Sequence, residues 1–229
     1  MPEPRLFVRQ NGRMALADRI VQVQDRIDRA CRKSGRRTDS VTLVTVSKTV
    51  AVPIIWEAYD YGLRVFGESK AQELVYKCAE MPQDIEWHFI GKLQSNKAKK
   101  VASLVELIHT IEKQSQLDQI EKGDSIVDVL IEVNIAKEQQ KAGILSEELD
   151  KTLDIVKQYK NVRFRGLMTI GPLVTDPEEN RPVFRKLAEL GREAGAEILS
   201  MGMSADFEVA IQEGSTHVRI GSAIFGERQ

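Results

Sequence analysis

Eight short apolar runs alternate with helical segments along this 229-residue chain, and that alternation constrains the fold more than any other feature. The strand candidates are 42–46, 64–66, 87–90, 105–110, 127–134, 163–169, 197–201 and 217–220. Helical candidates lie between them at 53–61, 71–79, 95–102, 113–122, 146–159, 182–194 and 206–212. The strands are mostly apolar on both faces, as parallel strands covered by helices must be. Eight βα units closing on themselves make a (β/α)8 TIM barrel. The alternative, an open doubly wound sheet, carries a Gly-rich fingerprint after its first strand. Here that strand runs into Ser47-Lys48-Thr49-Val50-Ala51-Val52, with no glycine. The expectation is a single α/β barrel domain over residues 1–229, with short loops. Leu16, Ile20, Val23, Ile27 and Ala30 recur at helical spacing ahead of the first strand. Arg29, Arg32 and Lys33 suit a helix C-terminus and Gly35 a stop, so an extra N-terminal helix is expected at about 13–35.

Composition narrows the function classes. Apolar residues make up 42% of the chain and charged residues 29%, as in a globular protein with a substantial core. With 33 basic and 34 acidic residues the net charge is −1, so no global field favours nucleic acid or an anionic membrane. The basic cluster Lys92, Lys97, Lys99 and Lys100 has no interleaved aromatics and reads as a solvated face. Cys31 and Cys78 have no metal-ligand spacing, and a reducing compartment is the natural reading. The first fifteen residues lack the apolar core of a signal peptide, and no run is long enough to cross a membrane. A cytoplasmic protein is expected. His88, His109 and His217 are dispersed in sequence and read as strand-packing histidines. Residues 176–182 read as an exposed loop.

Active sites of such barrels gather at the C-terminal strand ends. Lys48 ends the first strand, against apolar walls that would disfavour an ammonium and free the amine a Schiff base needs. A lone strand-end lysine more commonly snorkels into water, so it requires corroboration. Two segments supply it: Met201-Gly202-Met203-Ser204-Ala205-Asp206 and Arg219-Ile220-Gly221-Ser222-Ala223-Ile224. Each places small residues before a helix, after strands 7 and 8, where this architecture commonly binds phosphate. Taken singly, each also reads as a turn with an N-cap. Arg219 is the one strong charge on its strand; it could pair with Glu132 or Asp206, or donate to a ring nitrogen. A lysine, a phosphate cradle and an arginine for the pyridine nitrogen are what a pyridoxal phosphate site needs. A Schiff-base aldolase acting on a sugar phosphate is the other reading of a barrel lysine, although no paired acid adjoins Lys48 in sequence.

Several long, co-ordered segments carry a family resemblance: 44–49, 87–97, 166–171, 199–206 and 217–226. Together they resemble the pyridoxal phosphate homeostasis proteins, also called the YggS/PROSC family, over nearly the whole chain. The resemblance implies a barrel like the N-terminal domain of bacterial alanine racemase, of pyridoxal-phosphate fold type III. It implies pyridoxal 5'-phosphate held as an aldimine on Lys48, Arg219 facing the pyridine nitrogen, and Ser204, Gly221 and Ser222 holding the phosphate. Met168 and Ser200 match strand-end positions near the cofactor. The implied role is cofactor homeostasis without clear enzymatic activity, with apo pyridoxal-phosphate enzymes or a regulatory protein as partners. Ser69 departs from the pattern, since many members carry Asn there, and the Asn role is not transferred to it. An arginine opposite the ring nitrogen keeps that nitrogen unprotonated and weakens the ring as an electron sink. Alanine racemases also draw a second base from a C-terminal β domain, whereas this sequence stops at Gln229, after the last barrel unit. A carrier is therefore the first expectation and a weak amino-acid racemase the second.

Overall fold

The computed structural model describes residues 9–10, 13–138 and 140–226. Its strands β1 (Thr42–Val46), β2 (Val65–Glu68), β3 (Glu86–Phe89), β4 (Leu107–Ile111), β5 (Val127–Glu132), β6 (Val162–Met168), β7 (Ile198–Met203) and β8 (His217–Ile220) form one closed parallel barrel. The last strand returns to the first, with His217 opposite Thr42 and Ile220 opposite Thr45. The TIM barrel read from the alternation is the observed fold, and strand bounds differ from expectation by one or two residues at most ends. Outside the barrel, Arg9–Gln10 pairs antiparallel with Arg13–Met14.

The N-terminal helix α1 spans Leu16–Lys33, shorter than expected because Arg13–Met14 is already paired and Gly35 turns at φ +68°. Its buried stripe of Leu16, Ile20, Val23, Ile27 and Ala30 is the periodic set seen in the sequence. The barrel helices are α2 (Val52–Asp60), α3 (Ala71–Glu80), α4 (Ser95–Ala102), α5 (Gln114–Ile120), α6 (Leu149–Val156), α7 (Arg181–Glu193), α8 (Phe207–Gln212) and a one-turn α9 (Ser222–Phe225). Helix α1 lies against α8 and α9, where Arg26 stacks 4.5 Å over the Phe207 ring and pairs with Glu208 at 2.9 Å. Arg36 then donates to the carbonyls of Ile211 and Ser215, at 2.9 and 2.7 Å, and ties the end of α8 to the start of β8.

Two expectations are corrected. The helix expected over 146–159 is a 3-10 turn, Ser146–Glu148, followed by the shorter α6. Residues 176–182 are not a plain loop. Asp176 accepts the Glu178 N–H at 3.0 Å and caps a 3-10 turn, Pro177–Asn180, that leads directly into α7.

Strand alternation divides the core in two. A large cluster fills the layer between sheet and helices, with Phe66, Ile108, Leu167, Phe184 and Phe207 among its fully buried members. A second, small cluster of Leu107, Leu130, Met168 and the partly buried Ile198 fills the barrel interior. Register confirms the inward layers: Leu130–Gly166–Ile198 form one and Glu132–Met168–Ser200 the next. Partners in register on parallel strands face the same side.

Candidate functional site

Lys48, Ser204, Arg219, Gly221 and Ser222 lie at or just past the C-terminal ends of β1, β7 and β8, which neighbour one another where the barrel closes. Val44 is the register partner of Arg219, and Lys48 follows two residues past the end of the same strand, half-buried in a turn. Gly221 lies directly against this strand end. A Cβ there would sit 3.1 Å from the Val46 carbonyl oxygen. The Ser204 hydroxyl accepts the Ala223 N–H at 3.4 Å, so the loop after β7 meets the first turn of α9, which Ser222 opens.

The loop that holds Ser204 is itself anchored. Gly202 takes φ +92°, and a Cβ on it would lie 2.8 Å from the Phe207 Cα and 2.6 Å from the Ala210 Cβ. Asp206 accepts the Met203 N–H at 2.7 Å and the Asn180 side-chain N–H at 2.8 Å. Asn180 also donates to the Pro172 carbonyl at 3.1 Å, which joins the loop after β6 to the one after β7.

Arg219 is only 5% exposed, yet no carboxylate lies within ion-pairing distance of it among the described residues. Its partners are neutral: Nη1 donates to Ser200 Oγ at 2.6 Å and Nη2 to the Thr169 carbonyl at 2.9 Å. The direct pairing with Glu132 or Asp206 weighed from the sequence is not formed. Those two carboxylates act only as more distant charges that partly offset burial, which pulls the Arg219 pKa down to about 10. A guanidinium has five N–H donors, and the protein side chains and backbone here engage two nitrogens.

Ser200 and Met168 are both fully buried and belong to the inward layer that also contains Glu132. Met168 packs in the small interior cluster, and Ser200 backs Arg219. Glu132, 5% exposed, has its pKa pushed up to about 7 by burial and by the nearby Glu112, against the opposing effect of Arg219. Sequence reasoning treated it only as a possible ion-pair partner.

A second group missed from the sequence lies behind Lys48. Lys77, on α3, donates to Glu68 Oε1 at 2.6 Å, to Glu73 Oε1 at 2.7 Å and to the Ser47 carbonyl at 2.7 Å. The Ser47 hydroxyl also donates to Glu68 Oε1, at 2.7 Å, and Glu73 accepts the Thr49 N–H at 2.6 Å. Both peptide groups that flank Lys48 are thus held from α3, and Thr49 adopts φ +64° in the tight turn that results. The sequence signal was an i, i+4 Glu73–Lys77 pair, which by itself looks like an ordinary surface pair.

The histidines, expected to pack on their strands, do so and also come together inside the barrel. The His88 and His109 rings lie 5.1 Å apart, and His88 and His217 5.9 Å. They hold no metal-binding arrangement among the described residues.

Comparison with known proteins places this architecture. The model of the alanine racemase N-terminal domain matches residues 23–229. The pyridoxal phosphate homeostasis protein of Aquifex aeolicus is 44% identical over 227 residues, spanning 94% of this chain and all of that one. The protein of the same name from Escherichia coli K12 is 40% identical over 226 residues, covering 93% of this chain and 97% of its own. Among solved structures, PipY of Synechococcus elongatus with pyridoxal phosphate bound superimposes with a TM-score of 0.80 at 30% identity, over 93% of this chain and all of PipY. Alanine racemase from Corynebacterium glutamicum shares the fold, with a TM-score of 0.69 at 14% identity, over 93% of this chain and 62% of the racemase. On sequence identity along nearly its whole length, and on a barrel of the same kind, the chain belongs to the pyridoxal phosphate homeostasis protein family.

Proposed function

We propose that this protein binds pyridoxal 5'-phosphate covalently through Lys48 and serves in its homeostasis, as a store or carrier of the cofactor. The observation that carries the reading is Arg219. A buried guanidinium with only neutral partners among the described residues retains donors for a further acceptor, and a pyridine nitrogen is such an acceptor. The Ser204, Gly221 and Ser222 loops would hold the phosphate. Their fit is supported by the absence of a Cβ at Gly221 and by the link from Ser204 to the first turn of α9. The Lys48 amine would add to the cofactor aldehyde with loss of one water, leaving a C=N bond. When bound, the cofactor would supply an electron-withdrawing ring, and an unprotonated ring nitrogen opposite Arg219 tempers that property. This supports holding the cofactor over turning over amino acids.

Borohydride reduction of the cofactor-loaded protein, followed by peptide mass mapping, tests the assignment. The expected pyridoxyl adduct is on Lys48, and Lys48→Ala removes the yellow colour. An adduct confined to another lysine would refute the site. Handover of the cofactor to an apo pyridoxal-phosphate enzyme faster than free diffusion supplies it would support the carrier role. Steady L-to-D amino acid conversion well above that by free cofactor would overturn it in favour of a racemase.

A further inference from the structure

Arg219 is the first member of a chain of buried hydrogen bonds that crosses the barrel. Ser200 Oγ accepts from Arg219 Nη1 at 2.6 Å and lies 2.8 Å from His109 Nδ1. His109 Nε2 in turn lies 3.1 Å from His88 Nδ1. All four side chains are at most 5% exposed. We propose that His109 is a positioning residue for the ring-nitrogen contact, acting through Ser200 to fix how the Arg219 guanidinium is presented. The inference rests on the proposed role of Arg219 toward pyridoxal phosphate.

The direction of every proton in the chain follows from counting donors. The Ser200 hydroxyl has one proton, and Arg219 can only donate to it. If His109 Nδ1 carried a proton, it too would point at Ser200 Oγ, and the serine proton would be left without an acceptor in a fully buried place. Full satisfaction therefore makes Ser200 donate to His109 Nδ1. Then His109 Nε2–H donates to His88 Nδ1, and the His88 proton sits on Nε2. In this arrangement Ser200 presents only lone pairs to Arg219, and with the Thr169 carbonyl it clamps two of the guanidinium nitrogens. A second charge in this chain, beside that of Arg219, would be costly. Burial, His88, Arg219 and His217 all hold His109 in its neutral form.

Two measurements test the proposal. Long-range nitrogen–proton NMR on histidine-labelled, cofactor-free protein should find the proton of His109 and of His88 on Nε2; a proton on His109 Nδ1 overturns the proposal. The second measurement compares binding of pyridoxal phosphate with that of 4-formylphenyl phosphate, which keeps the aldehyde and phosphate but has no ring nitrogen. Wild type should prefer pyridoxal phosphate. His109→Leu and Ser200→Ala should each weaken pyridoxal phosphate about tenfold and leave the analogue unchanged. His109→Asn, whose amide oxygen can replace Nδ1 as acceptor, should restore the preference. If His109→Leu does not fold, Ser200→Ala decides the matter alone. Equal losses for both ligands would mean a purely structural role and overturn the inference. A wild-type preference that survives in the variants defeats the inference alone, whereas a wild type indifferent to the ring nitrogen defeats the reading of Arg219 as well.

Discussion

Lys77 donates a 2.7 Å hydrogen bond to the carbonyl oxygen of Ser47, the residue immediately before Lys48. The same ammonium, 2% exposed, is paired with Glu68, which is fully buried and whose carboxyl is pushed up by burial despite Lys77 and Ser47. Removing one member of a buried pair strands the other charge, whereas removing both does not. Lys77→Met should therefore cost about 3–5 kcal/mol in denaturant unfolding, and Lys77→Met with Glu68→Leu should recover much of that loss. A double variant no more stable than the single one would show that the pair does not hold this strand end.

The pH dependence of stability follows from groups that the barrel keeps uncharged. Burial lowers the pKa of His88 to about 3 and of His217 to about 4, and holds His109 well below 6.5. Such groups bind protons in the unfolded chain but not in the fold, so their contribution to stability is lost as pH falls below about 6.5. Glu132 works in the opposite sense. Its folded pKa of about 7 lies above the ordinary 4.5, so its contribution is present at low pH and lost as pH rises through 7. Between pH 5 and 6 these four groups together should make unfolding take up one to two protons net, a slope of roughly 2–3 kcal/mol per pH unit. Glu132→Gln should steepen that slope and stabilise the cofactor-free protein above pH 7, by on the order of 3 kcal/mol. Urea unfolding across pH 5–8 on both proteins checks each sign.

Gly202 sets the path of the loop that carries Ser204. With φ at +92° and the Phe207 Cα 2.8 Å from any added Cβ, Gly202→Ala meets both backbone strain and a clash with helix α8. The expected loss is about 2–4 kcal/mol, together with weaker binding of phosphate-bearing ligands, since Asp206 and Ser204 move with the loop. Alanine at Gly35 meets nothing within 4 Å and faces only the unfavourable φ. It should cost about 1 kcal/mol and leave ligand affinity unchanged. Equal effects on affinity would remove the link between Gly202 and the site.

The barrel was legible because its signal is periodic. Apolar runs and amphipathic helices recur eight times, and a boundary error of one or two residues does not alter the count. Lys48, Ser204, Arg219, Gly221 and Ser222 could be proposed from the sequence because each sits at or just past a strand end, where the architecture itself gives a reason to look. What stayed hidden depends on contacts across the barrel. His109 meets Ser200 across 91 positions of sequence, and nothing local to either residue announces the other. Lys77 looks like half of a surface pair with Glu73 until β2 places Glu68 beneath it. The extended helix expected over 146–159 failed for the opposite reason: a local pattern was overridden by a 3-10 turn at its start.

Arg219 combines a stability cost with a binding role, and the two can be separated by substitution. Burial lowers its pKa to about 10, so the fold opposes the charge at every pH below that value. Its two hydrogen-bond partners are neutral, and among the described residues no carboxylate pairs with it directly. Arg219→Met keeps much of the side-chain volume and removes the buried charge, at the expense of one partner for the Thr169 carbonyl. Replacement of buried charges by apolar groups of similar size is often neutral or stabilising by about 1–4 kcal/mol. The cofactor-free variant should therefore melt no lower than wild type. Its affinity for pyridoxal phosphate should fall at least tenfold if the ring nitrogen depends on a charged donor. A variant both less stable and unchanged in affinity would mean that Arg219 serves the barrel core and not the ligand.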